Sequence, residues 1–136
     1  MADEEFRDRT VLVTGGSRGI GRAICVRLAE TGARIAINYA GNEEAAKETL
    51  ELVKTAGGSG ATFKADVSNL DAMKQMYSDI EDQLGPVDML VSNAGVARAA
   101  DKLDMPFDVW YEMMRVNLDG TFHAIWLAKD LSLIHI

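Results

Sequence analysis

Residues 11–21 read Val-Leu-Val-Thr-Gly-Gly-Ser-Arg-Gly-Ile-Gly, a short apolar β-type run that breaks into a glycine-rich turn and then enters a helical pattern. No other stretch restricts the fold so strongly. A strand, a glycine turn and a helix start in that order gather free backbone N–H groups and the positive end of a helix dipole at one point, the arrangement that holds a pyrophosphate. In the spacing Thr14-Gly15-x-x-x-Gly19-x-Gly21, Gly15 is expected to turn sharply out of the strand and Gly19 to let the backbone approach phosphate oxygens. Gly21 is expected to let the helix pack closely. A tight turn without a ligand is the bland alternative, and its place between a first strand and a first helix weighs against it.

Apolar β-rich runs alternate with longer amphipathic stretches along the chain, the pattern of a parallel sheet covered by helices on both faces. Strands are expected at residues 10–14, 34–38, 61–65 and 87–92, and helices at 19–31, 43–56, 70–84 and 107–129. The first helix places Ile20, Ile24 and Leu28 on one face, with Cys25 beside them as a packing residue, and Gly32 stops it. The second turns Ala46, Thr49, Leu50 and Val53 inward and ends in the flexible run Gly57-Gly58-Ser59-Gly60. The third does the same with Leu70, Met73, Tyr77, Ile80 and Leu84 before Gly85-Pro86 closes it. The fourth carries Trp110, Met114, Leu118 and Ile125 at three- and four-residue spacing. The fold class is therefore α/β, a Rossmann-type sheet of order 3-2-1-4 that stops after the fourth βα unit. Residues 1–9 form an N-terminal tail to a dinucleotide-binding domain over 10–130.

A net charge of −7 across 136 residues disfavours sequence-independent binding to nucleic acid, so an anionic ligand must be held locally. No run is long enough to span a bilayer, and no metal site is expected. The acidic start Met1-Ala-Asp-Glu-Glu5 lacks the basic and apolar segments of a secretory signal. The single Cys25 cannot form an internal disulfide, and a reducing cytoplasm is the expected compartment.

Four ordered motifs, Thr-Gly-x-x-x-Gly-x-Gly at 14–21, Asp66-Val67, Asn93-Ala94-Gly95 and Asn117, resemble the short-chain dehydrogenase/reductase family. Residues 34–43 and 87–95 are similar to its bacterial 3-oxoacyl-[acyl-carrier-protein] reductase branch, with acetoacetyl-CoA reductases and sugar or alcohol dehydrogenases close behind. The resemblance implies that Ser17, Arg18, Gly19 and Ile20 contact the pyrophosphate and the adenosine ribose. It implies that Asp66 bonds the adenine amine, that Val67 packs on its ring, and that Asn93, Ala94 and Gly95 shape the ribose site and hold the fourth strand. Ser92 stands where family members carry a second Asn. The implied substrate is a small molecule or one borne by acyl carrier protein, and the implied full-length assembly is a homotetramer.

Cofactor choice follows from charge. An NAD site places a carboxylate at the end of the second strand, where it accepts from the 2′-hydroxyl and repels a 2′-phosphate. This chain has Asn38-Tyr39-Ala40 there, and Arg18 adds a guanidinium able to bond a phosphate. NADPH is the expected cofactor.

The resemblance implies hydride transfer to a ketone, with a Tyr as general acid, a Lys lowering its pKa, a Ser orienting the carbonyl and an Asn holding a water. Asn117 alone of these is present, and it also reads as a polar residue interrupting a helix. The pair occurs as Tyr-x-x-x-Lys, but Tyr39 is followed four on by Glu43, Tyr77 by Glu81 and Tyr111 by Arg115. Residues 131–136, Leu-Ser-Leu-Ile-His-Ile, match the translation of a transposon-end adapter and are expected to be non-native. The chain is then expected to be the inactive front portion of a longer reductase. A genuine short product that binds nucleotide without chemistry, or associates with another protein, is the alternative.

Overall fold

The structure, a computed structural model, describes residues 5–98 and 104–132. Its four strands are β1 (Thr10–Val13), β2 (Arg34–Tyr39), β3 (Ser59–Lys64) and β4 (Met89–Val91). They are all parallel and lie in the expected order, β3-β2-β1-β4. The helices are α1 (Gly19–Ala29), α2 (Glu43–Thr55), α3 (Leu70–Leu84), α4 (Phe107–Met114) and α5 (Gly120–Ser132). Asn42 and Asn69 start α2 and α3 by accepting from Ala45 N and Ala72 N, each at 3.0 Å.

Strand periodicity divides the core in two. Val11, Val13, Ile35 and Ile37 meet Cys25 and Ala29 of α1 and Val53 of α2 on one face. Leu12 and Ala36 meet Phe63, Met73, Met76 and Ile80, together with Ala124 of α5, on the other. With both faces covered, β1 is fully buried and β2 is buried from Ile35 to Tyr39. Among the described residues no helix is long and apolar enough to cross a membrane.

Five expectations change. On α1 the inward face is Gly21, Cys25 and Ala29, while Ile20 is 75% exposed and Ile24 and Leu28 pack only at the margin. The start of this helix lies so close to the preceding turn that small residues, not large ones, must face it. β3 begins at Ser59, inside the expected turn, because Gly60 pairs with Ile35 so closely that a Cβ would stand 2.1 Å from the Ile35 carbonyl oxygen. Leu70 is partly exposed at the first turn of α3, and β4 is shorter than its apolar run.

The expected single helix over 107–129 is interrupted by a π-helical turn at Arg115–Asp119. One extra residue in a turn rotates the remainder of the helix by roughly 100°, so a single 3.6-residue period misplaces its faces. Trp110, Leu118 and Ile125 are about half exposed, whereas Ala124, Val116, Leu127 and Ala128 face the core. Leu131 and Ser132 end α5, and the rest of the expected tail lies outside the described residues.

Cys25 is fully buried between the sheet and α2, and burial pushes its thiol up to about 12. It is a packing residue, as expected. In native buffer at pH 8 its reaction with a disulfide reagent should follow the unfolding rate and accelerate sharply in denaturant. Because the folded thiol keeps its proton above the unfolded pKa of about 8.5, its contribution to stability should fade as pH rises beyond that value.

Candidate functional site

The segments leaving the carboxyl ends of all four strands converge on one cleft of about 600 Å³. Every residue expected at the cofactor lines it: the 15–21 turn at Gly15, Ser17, Arg18, Gly19, Ile20 and Gly21, then Asn38, Tyr39 and Ala40, then Asp66 and Val67, then Asn93, Ala94 and Gly95. This is where open parallel sheets place ligands, at the point where strand order reverses from β1 towards β4.

Glycine makes the turn possible. Gly15 and Gly19 have φ of +65° and +56°, in the left-handed region that side chains disfavour. A Cβ on Gly21 would lie 2.1 Å from the Gly15 carbonyl oxygen, so α1 begins in backbone contact with the turn. Thr14 and Asn93 lock it from the β4 side. The Thr14 hydroxyl accepts from Asn93 N and Ala94 N, each at 3.0 Å. Asn93 Nδ2 donates to the Thr14 and Gly15 carbonyls, each at 3.1 Å.

Asn38 locks the turn from the other side. It is buried, accepts from Gly15 N through Oδ1 at 3.2 Å and donates from Nδ2 to Ala65 O at 3.0 Å. Its side chain is therefore a brace between β1, β2 and β3 and is not presented to a ribose. Tyr39 is also buried, so Ala40 and Gly41 form the exposed corner beyond β2. That corner has no carboxylate of its own, and Glu43 and Glu44 just beyond it both pair with Lys47.

Arg18 stands across from this corner with extended backbone, an exposed side chain and no ion pair among the described residues. No side chain caps α1, so its first N–H groups remain open. On the opposite wall Asp66 accepts from Ser68 N and Ser68 Oγ through Oδ1 at 2.9 and 2.7 Å, leaving its second oxygen available. Val67 is buried against Gly120, and its carbonyl meets His123 Nδ1 at 2.8 Å. His123 is thus a partly exposed structural residue.

Asn117 lies in the π-helical turn and is exposed. Its side chain clasps one residue of the β4–α4 loop, accepting from Val96 N at 2.7 Å and donating to Val96 O at 2.8 Å. Arg98 grips Glu112 with two contacts of 2.8 Å, and this bond holds the Glu112 carboxyl below its ordinary range. Together they fix the cleft wall formed by Val96, Glu112 and Val116. Sequence reasoning missed Arg22 and Glu112 and gave Thr14 and Thr49 no bonding role, because the groups they bond are set by how the elements pack and leave no periodic signal.

A family model described as short chain dehydrogenase matches residues 9–132. A 3-oxoacyl-[acyl-carrier-protein] reductase of Staphylococcus aureus is 39% identical over 88% of this chain and 49% of its own length. An acetoacetyl-CoA reductase of Rhizobium meliloti is 45% identical over 87% of this chain and 48% of its own length. The chain thus spans about half the length of the curated relatives it matches. Among solved structures, a dehydrogenase/reductase of Sinorhizobium meliloti superposes with a TM-score of 0.89 at 34% identity, covering 95% of this chain and 51% of that one. A short-chain dehydrogenase/reductase of Serratia marcescens gives 0.86 at 35% identity, covering 92% and 51%.

Gly21→Ala isolates the backbone contact. Alanine is worth ~1 kcal/mol more than glycine inside a helix, yet here its methyl must displace the Gly15 carbonyl. The overpacking should win and destabilise the fold by about 1–3 kcal/mol. Gly41→Ala, which meets nothing within 4 Å, should be close to neutral in the same thermal denaturation.

Proposed function

The chain belongs to the short-chain dehydrogenase family, and from that premise we propose that it is the NADPH-binding portion of a longer reductase acting on a ketone, a 3-oxoacyl thioester carried by acyl carrier protein. The observation that carries this reading is the pairing, across one cleft, of an Arg18 guanidinium unpaired among the described residues with a β2 exit that bears no carboxylate. A 2′-phosphate finds a charge-assisted partner there and no repulsion. The thioester substrate is supported by the reductases of the curated relatives, which the chain matches over about half their length. The full-length protein is proposed to be cytoplasmic and homotetrameric.

The residues fit a dinucleotide. Gly19, where a Cβ would meet nothing within 4 Å, leaves the backbone open to a ligand beside the uncapped start of α1, and the dipole there favours the pyrophosphate. Asp66 offers an unpartnered carboxylate oxygen to an adenine amine, and Asn93, Ala94 and Gly95 form the floor nearer β4. When bound, the nicotinamide cofactor supplies the hydride that reduces the carbonyl. This chain's own contribution is orientation. Arg18, Ser17 and the α1 amides hold phosphate, Asn38 and Asn93 brace the turn, and Asn117 fixes the loop beside the reacting end by clasping Val96.

Since none of its tyrosines stands four residues before a lysine, we propose that the 136-residue chain binds cofactor without turning over substrate. The same observation favours a second reading, a nucleotide-binding chain that has no chemistry of its own.

Fluorescence titration separates the cofactors. The chain should bind NADPH more tightly than NADH, and Arg18→Ala should weaken NADPH by about tenfold or more while leaving NADH almost unchanged. Equal weakening of both would reject the assignment of Arg18 to the 2′-phosphate.

A further inference from the structure

The Ser17 carbonyl is held by an unusual number of donors for a loop oxygen. Arg22 Nε and Nη2 reach it at 3.2 and 2.8 Å, and the Thr49 hydroxyl lies 3.0 Å away. Thr49 is fully buried on α2, accepts from Arg22 Nε at 2.9 Å, and has one proton to share between Ser17 O and Ala45 O, the latter at 3.2 Å. Arg22 Nη2 also reaches Ala45 O at 3.0 Å and Glu48 at 3.1 Å. The guanidinium therefore joins the glycine turn and two helices at one point, through the fork geometry that lysine lacks.

The peptide bond between Ser17 and Arg18 is planar and trans, so its carbonyl and N–H point in opposite directions. Drawing the Ser17 oxygen towards α2 turns the Arg18 N–H the other way. That N–H makes no hydrogen bond among the described residues, and Arg18 lines the cleft. We propose that Arg22 and Thr49 are positioning residues for cofactor binding: by clamping the Ser17 carbonyl they preset the Arg18 amide as a phosphate donor. This rests on the dinucleotide reading of the cleft and adds to it a control point on α2 outside the cleft. Preset donors bind more tightly because the turn need not be ordered when the ligand arrives.

The test is an NADPH titration of the full chain, followed by ¹H–¹⁵N NMR, in wild type, Thr49→Val and Thr49→Ser. Valine keeps the volume and removes the hydroxyl, whereas serine keeps the hydroxyl. In wild type the Arg18 amide proton should move downfield as NADPH saturates the site. In Thr49→Val the Kd should rise about three- to tenfold, and the Arg18 shift should shrink while the variant stays folded by circular dichroism. Thr49→Ser should restore both. A role confined to stability would lower Tm and leave the Arg18 shift at saturation unchanged. Thr49→Val with wild-type Kd and wild-type Arg18 shift overturns the clamp alone. A wild type that does not bind NADPH overturns the cofactor reading and the clamp with it. Should Thr49→Val unfold, Arg22→Lys, which keeps the charge without the fork, is read by the same criteria.

Discussion

The contact between the start of α1 and the glycine turn dictates where the other elements and the cleft must lie. Gly21 sits against the Gly15 carbonyl with no room for a methyl group. The helix must therefore leave β1 at once, small face inward, and aim its uncapped N–H groups along the carboxyl edge of the sheet. That edge is where β2, β3 and β4 also end, so a single close approach places the cleft and the dipole that serves it. The neighbouring strands then hold the turn by polar bonds. Asn38 reaches it from β2 and Asn93 from the end of β4.

These braces are buried polar groups, costly when unpaired and specific when satisfied. Thr14, Asn38 and Thr49 are almost fully enclosed, and no buried side-chain polar atom among the described residues lacks a partner. Their concentration around the turn gives one side of the domain a fixed polar frame, while the apolar layers on either side of β1 and β2 supply most of the burial. Rigidity and adhesion thus come from different residues.

Features that depend on periodicity and on glycine punctuation are legible in the sequence. The four strands and the glycine turn follow from apolar runs broken by turns, while the sheet order follows from the fold type and the Asp66 and Asn93 segments of the cleft from the family resemblance. Features that depend on close approach are hidden, because side-chain size misleads there. Ile20 reads as core and stands exposed, and Gly60 reads as a turn and lies within β3. The π-helical turn hides the true inward face of α5, since no composition signal marks one inserted residue. Asn38 is correctly placed at the cleft, but its bonds to Gly15 and Ala65 become visible only once three strands are side by side.

The surface beyond that turn is rich in exposed aromatic residues, with Phe122 and Trp126 stacked at 5.7 Å and Lys129 over the Trp126 ring at 4.2 Å. It lies apart from the polar frame, so the proposed cofactor recognition rests on the sheet edge and α1. A crystal structure of the chain with bound NADP+ tests that dependence most directly. The predicted result is a pyrophosphate at Arg18–Ile20, a 2′-phosphate beside the Arg18 guanidinium and an adenine against Asp66 and Val67. A dinucleotide bound elsewhere, or a cleft left empty at saturating ligand, would contradict it.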